Sequence, residues 1–171
     1  MTDFVPSPAD ATAGYAWPAG RRLASDHAAL TVVVGKQVLD LGCGTGVCGL
    51  AALSLGAAAV TFADADADAL AGFGGHATVV HTWGIPVPGG PWPVILGGDL
   101  LYRPQFFAAL LATIAGSLTH DGLALLSDPR SQLESDLPAL ARQHGLSWVQ
   151  ERRTDYTLIS VARLDAQRSA R

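Results

Sequence analysis

Residues 38–53 read VLDLGCGTGVCGLAAL, with glycines at 42, 44, 46 and 49. Two registers fit these glycines. Counted from Gly44 the spacing is G-x-G-x-x-G, the turn that rests a diphosphate on the first amides of a helix. Counted from Asp40, an acid precedes three alternate glycines, Gly42, Gly44 and Gly46. Both registers describe an apolar strand, a tight turn and then a helix. That unit belongs to a parallel α/β sheet whose ligand lies at the carboxyl ends of the strands.

Working outward, the same alternation repeats. WPAGRRLASDHAALT can begin a helix near Gly20 that buries Leu23 and Leu30. After the glycine turn a helix should run to Gly56, and AAVTFAD reads as the next strand. ADADALAGF is a short helix capped by Asp66, and ATVVHTW a third strand. WPVILGGD is continuously apolar, as a strand covered on both faces should be. Pro104 suits a first helical turn, followed by a stripe at Phe106, Leu110, Ile114 and Leu118. DGLALLSD is a fifth strand. A helix over Ser135–His144 keeps Pro138 in its first turn, where the missing donor costs nothing, and Gly145 stops it. LSWVQERR and YTLISVARL are separated by two residues and must pair antiparallel.

The expected fold is therefore a Rossmann-like, doubly wound, mostly parallel seven-stranded α/β sheet. It has one antiparallel strand and helices on both faces. The expected organisation is a flexible segment over 1–14, a single catalytic domain over 15–164 and a tail over 165–171.

Composition narrows the function. Of the 171 residues 49% are hydrophobic and 15% charged, which suits a globular domain. No stretch is long and apolar enough to suggest a membrane span, and no secretory leader is visible, so a cytoplasmic setting is expected. The net charge of −4, with no long basic run, disfavours nucleic acid as a partner. Cys43 and Cys48 fit no metal spacing, and the five histidines form no HxH or HxxxH pair, so no metal is expected.

Charge chooses between the two registers. Asp64, at the end of the second strand, can take ribose hydroxyls in either one. A diphosphate is repelled by a carboxylate just before the turn, whereas S-adenosylmethionine carries a sulfonium and an ammonium that favour one. GGDLLY, residues 97–102, brings a second acid, Asp99, to the same end of the sheet.

With these features on the page, VLDLGCGTG and FADAD together resemble the class I S-adenosylmethionine-dependent methyltransferases. More narrowly, WPAGRRLA, GCGTGVCGLAA, GGDLLYRP and SDPRSQ occur in the order seen in seven-strand protein-lysine methyltransferases of the electron-transfer flavoprotein β-subunit type. The resemblance covers about residues 15–163. It implies that Asp40, Gly42, Cys43, Gly44 and Gly46 hold the methionine part of the cofactor, with S-adenosylhomocysteine as product. Asp64 and Ala65 would meet the ribose, Trp83 would lie against the adenine, and Trp17 would close the site from the N-terminal side. Asp99 and Tyr102 match the family's D-x-x-Y motif between cofactor and target amine. Asp99 would capture the amine, and Tyr102 would shape its channel. The implied acceptor is a protein lysine, with the electron-transfer flavoprotein β subunit as a candidate.

The chain also departs from that family. It contains no asparagine, and residues 67–77, where the family usually carries them, are short and glycine-rich. A small-molecule amine acceptor and a non-catalytic relative remain as alternatives. An open rim around Asp99 would favour a protein, and a closed pocket a metabolite.

Overall fold

A computed structural model describes residues 14–165; the expected loose segment and tail therefore fall almost wholly outside the described residues. The elements run α1 (Pro18–Ser25), a 3-10 turn (Ala29–Val33), β1 (Gln37–Leu41), α2 (Val47–Ser54), β2 (Ala59–Asp64), α3 (Ala67–Leu70) and β3 (Ala77–Val80). Then follow β4 (Trp92–Gly98), α4 (Phe107–Ser117) after a 3-10 turn at Pro104–Phe106, β5 (Leu118–Asp128), α5 (Leu137–Gln143), β6 (Leu146–Arg152) and β7 (Thr157–Arg163).

The seven strands lie in the order β3-β2-β1-β4-β5-β7-β6. β1 pairs in parallel with both β2 and β4, so the winding reverses between β1 and β4. β7 is antiparallel to β5 and to β6. The antiparallel strand therefore lies inside the sheet, next to its edge, because the hairpin folds back between its own first strand and β5.

Strand alternation divides the core into two layers. Leu39, Leu41, Ile95, Ala124 and Leu126 face α4 and α5, packing on Leu110, Leu111, Ile114, Leu137 and Ala141. Val38, Val60, Phe62, Val94, Leu96 and Leu125 face the layer of α1 and α2, packing on Ala19, Leu23, Cys48 and Ala52. Leu23 and Leu30 are fully buried, but not on one helix: α1 runs from Pro18 to Ser25 and Leu30 lies in the following 3-10 turn.

Three boundaries differ from the sequence reading. The stripe ending at Leu118 overruns α4, because Leu118 already pairs with Trp92 of β4. β3 stops at Val80, and residues 81–91 form a loop with no helix in it. Two buried hydroxyls of α4 fasten this loop: Thr113 Oγ1 accepts from Gly84 N at 2.8 Å, and Ser117 Oγ accepts from Val87 N at 2.9 Å. α5 is shorter than Ser135–His144, but Pro138 does occupy its first turn.

No helix among the described residues is long and apolar enough to cross a membrane.

Candidate active site

The carboxyl ends of β1, β2, β3 and β4 bring together the glycine turn, Asp64, the loop carrying Trp83, and Asp99. Gly42, Gly44 and Gly46 all have left-handed backbone, with φ of 62°, 49° and 70°. A side chain would be strained at each, and at Gly42 and Gly46 it would also collide. A Cβ at Gly42 would lie 2.7 Å from Leu100 Cδ2 and 3.7 Å from Trp83 Cζ2, so Trp83 and Leu100 flank the turn. Gly46 N donates to Cys43 O at 2.6 Å, closing the turn, and Cys43 N donates to Ala63 O at 3.0 Å, tying it to β2. Cys43 and Cys48 are both buried free thiols, and burial pushes both well up from their ordinary range.

Asp64 sits where the ribose reading needs an acid. Its Oδ2 accepts from Gly44 N at 2.8 Å and its Oδ1 from Asp66 N at 3.0 Å. Ala65 and Asp66 are half-buried beside it. Asp66 caps α3, accepting from Asp68 N at 2.9 Å.

Asp40 lies elsewhere than the mouth. Residues 38 and 40 share the β1 face that looks at α2, so the carboxylate points beneath that helix, only 2% exposed. There its Oδ2 accepts from Gly49 N at 2.7 Å, satisfying one of the free amides in the first turn of α2. Gly49 is required for this contact, since a Cβ there would come within 2.8 Å of that oxygen. Burial, and secondarily the charge of Asp64, raises the Asp40 carboxyl to about 8.

The sign of the consequence follows by linkage. Between the unfolded value of 3.8 and about 8, the folded chain keeps a proton that the unfolded chain releases. Stability therefore falls as pH rises through that window. Asp40→Asn, which keeps an acceptor oxygen for Gly49, should flatten the decline. Urea unfolding at pH 5 and pH 8 without added ligand checks this, and an equal loss in wild type and variant would exclude Asp40 as its source.

Asp99 follows directly after β4 and is the one non-glycine residue with positive φ among the described residues, at 58°. Such a conformation persists only where its surroundings impose it, and these outliers gather at functional sites. Here Asp99 N donates to Ser127 O at 2.9 Å. Its Oδ2 accepts from Gly20 N at 2.8 Å, and the amide of Ala19 also bonds it. The residue before α1, Trp17, makes no side-chain cap, so Asp99 of β4 caps this helix from across the sheet. Burial nevertheless raises the Asp99 carboxyl above its usual range. Besides burial, backbone amides and other carboxylates are what shift Asp40 and Asp99.

The approach of α1 depends on Gly98. A Cβ at Gly98 would fall 2.6 Å from Gly20 Cα, a backbone atom that cannot swing away. Gly98→Ala should therefore push α1 off the sheet and strip the cap from Asp99, costing about 1–3 kcal/mol by overpacking. Thermal unfolding reads the loss, and an unchanged midpoint would argue against this packing. The far end of α1 is held independently: Asp26 accepts from Tyr156 Oη at 2.6 Å and pairs with Arg153 at 3.3 Å.

The rim is aromatic and open. Tyr15, Trp17 and Tyr102 are 56%, 44% and 59% exposed. Tyr15 and Trp17 meet edge to face, and Arg103 lies over the Tyr102 ring at 5.5 Å.

Three residues escaped the sequence reading. His81 is buried at the end of β3, its N–H donating to Asp64 O, its ring bonded to the backbone of Ile85 and its Nε2 unpaired. Ser127 Oγ is likewise buried and unpaired beside Asp99. Arg130 binds Asp128, Glu134 and the Leu101 carbonyl together. The motif SDPRSQ signalled the last; nothing in the sequence marks a lone histidine or serine as buried and unpaired.

Among the described residues no group of three or more His, Cys, Asp and Glu side chains could hold a metal ion.

Comparison with known proteins adds three findings. The family described as "Methyltransferase domain" matches residues 19–166. The curated "Protein N-lysine methyltransferase METTL21A" of Danio rerio is 35% identical over 107 residues, 54% of this chain and 49% of that protein. The matched stretch thus spans about half the relative's length. Among solved structures, a TehB-like SAM-dependent methyltransferase from Corynebacterium glutamicum aligns over 90% of this chain and 91% of its own, with TM-score 0.66 and 19% identity. The glycopeptide N-methyltransferase MtfA, complexed with S-adenosylmethionine, aligns over 86% and 95%, with TM-score 0.67 and 16% identity. At these identities the structural likeness is one of fold.

Proposed function

The chain belongs to the methyltransferase-domain family and takes S-adenosylmethionine as its methyl donor, and from that premise we propose that it methylates the side-chain amine of a protein lysine. The observation that carries this reading is the surrounding of Asp99: an anion at the foot of an open rim formed by Trp17 and Tyr102. A protruding lysine can enter such a rim, whereas a small metabolite gains most from an enclosed pocket. The likeness to an N-lysine methyltransferase supports the same choice.

The site fits a cationic donor. Left-handed Gly42, Gly44 and Gly46 fold the turn tightly against Leu100 and Phe73, keeping its backbone free of side chains beside Asp64 and Trp83. When bound, S-adenosylmethionine supplies a methyl group made electrophilic by its sulfonium. Gly42, Cys43, Gly44 and Gly46 would hold it through their backbone. Asp64, with Ala65 beside it, would bind its hydroxyls in exchange for the Gly44 contact, and Trp83 would cover its ring system. Asp40 acts from below, anchoring the start of α2 through the Gly49 amide.

Asp99 receives the acceptor amine. Asp99 keeps its bond to the Gly20 amide through Oδ2 while its carboxylate orients the incoming nitrogen. The α1 amides draw off part of the charge, which limits how strongly Asp99 favours the ammonium over the neutral amine that attacks. Tyr102 and Trp17 shape the channel around the lysine stem and keep water from the line of attack.

Incubating the protein with labelled S-adenosylmethionine and a cell lysate, then sequencing labelled products by mass spectrometry, tests the reading. Methyl-lysine in a protein is the expected result, and the electron-transfer flavoprotein β subunit in a cytoplasmic extract is the first acceptor to examine. Label confined to the small-molecule fraction would overturn it.

A further inference from the structure

We infer that Arg130 positions the turn over residues 99–102, and that the fork of its guanidinium, rather than its charge alone, is what the turn requires. That this turn faces the methyl acceptor rests on the function proposed above; the positioning does not.

Arg130 is fixed on one side. Nε and Nη2 fork onto Asp128 at 2.8 and 3.0 Å, and Asp128, at the end of β5, is only 2% exposed. Nη1 donates to Glu134 at 2.8 Å. The Arg130 carbonyl accepts from Thr157 Oγ1 at 2.7 Å and from Arg152 Nη1 at 3.5 Å. Strands β5 and β7 therefore hold both the backbone and the side chain. The second Nη2 hydrogen reaches across to the Leu101 carbonyl at 2.6 Å.

Leu101 lies between Asp99 and Tyr102, so this bond acts on the short segment that carries both. Other contacts hold the same segment: Asp99 Oδ2 accepts from Gly20 N. Asp99 N is tied to Ser127 O, and Leu100 and Leu101 are buried in the core. A non-glycine residue with φ of 58° stays in place only while such constraints act together. The oxygens of Asp128 are spent on Arg130, so its effect passes through the turn. A lysine could neutralise Asp128, but a single ammonium on a flexible stem cannot fork onto it while also reaching Glu134 and the Leu101 carbonyl.

The test uses the chain's three tyrosines, Tyr15, Tyr102 and Tyr156, labelled as 3-fluorotyrosine and observed by fluorine NMR in the full-length protein with saturating S-adenosylmethionine. Tyr102→Phe assigns the Tyr102 signal, and Tyr15 serves as the reference. In both Arg130→Met and Arg130→Lys the Tyr102 signal is expected to shift or broaden while Tyr15 stays in place. Donor affinity should remain within about twofold, and label transfer to lysate protein should fall at least about tenfold. A Tyr102 signal at its wild-type position in either variant would overturn the inference. Arg130→Lys keeps Asp128 neutralised, so it decides the matter alone if the methionine variant does not fold. A displaced Tyr102 signal in the variants, with no protein labelling even by wild type, would keep the positioning and refute the lysine reading.

Discussion

Asp99→Asn is expected to lower methyl transfer by about a hundredfold or more, the scale at which misplacing a reacting group acts. Donor affinity should stay within about tenfold, or roughly 1.4 kcal/mol. Asparagine keeps an oxygen that can accept from Gly20 N, so the cap on α1 survives and the lost activity reports the missing charge. Asp99→Ala removes both. It should show the same catalytic loss plus about 1 kcal/mol of instability from the uncapped helix. Initial rates at saturating donor, calorimetric donor affinity and thermal unfolding of the two variants separate these effects. Near-wild-type transfer by Asp99→Asn would leave Asp99 as a structural cap only.

Gly46→Ala is expected to be the most damaging single change in the glycine turn. The added Cβ would collide with Phe73 Cε1 and fall 3.1 Å from Phe62 Cε1. Those two rings are stacked at 4.1 Å with planes 1° apart, so neither can yield without disturbing the other. Left-handed backbone adds about 1–2 kcal/mol for a residue with a Cβ, and overpacking about 1–3 kcal/mol. For a chain of this length the thermal midpoint should fall by about 5–15 °C. Donor binding should weaken at least about tenfold, because the backbone meant to cradle it has moved. Unchanged melting and unchanged affinity would together refute the placement of this turn.

Much of this architecture was legible because strand and helix periods differ. The run VLDLGCGTG announced strand, turn and helix; β4 declared itself by unbroken apolarity; Pro138 marked a first turn. What the period did not announce was topology at the edge. Insertion of β7 between β5 and β6 depends on pairing partners far apart in sequence. Element ends were less legible for the same reason: Leu118 continues a helical stripe but is captured by Trp92 of β4.

At the site, Asp64, Trp83 and Asp99 converge as the strand ends suggested. Asp40 shows how proximity in sequence misleads. Alternation along β1 turns it beneath α2, where its partner is a helix amide. The acids at the surface of the mouth are therefore Asp64 and Asp99, while Asp40 fastens α2 from underneath. Asp99's second task, capping α1, was not legible, since its partners lie 79 residues earlier in the chain.

The central claim is that these strand ends, carrying the carboxyls of Asp64 and Asp99, select a cationic methyl donor over a diphosphate. Calorimetric titration with S-adenosylmethionine and with NAD, at pH 6 and pH 7.5, tests it most directly. Saturable binding of S-adenosylmethionine and no binding of NAD are expected at both pH values. Saturable binding of NAD with no heat from S-adenosylmethionine would contradict it.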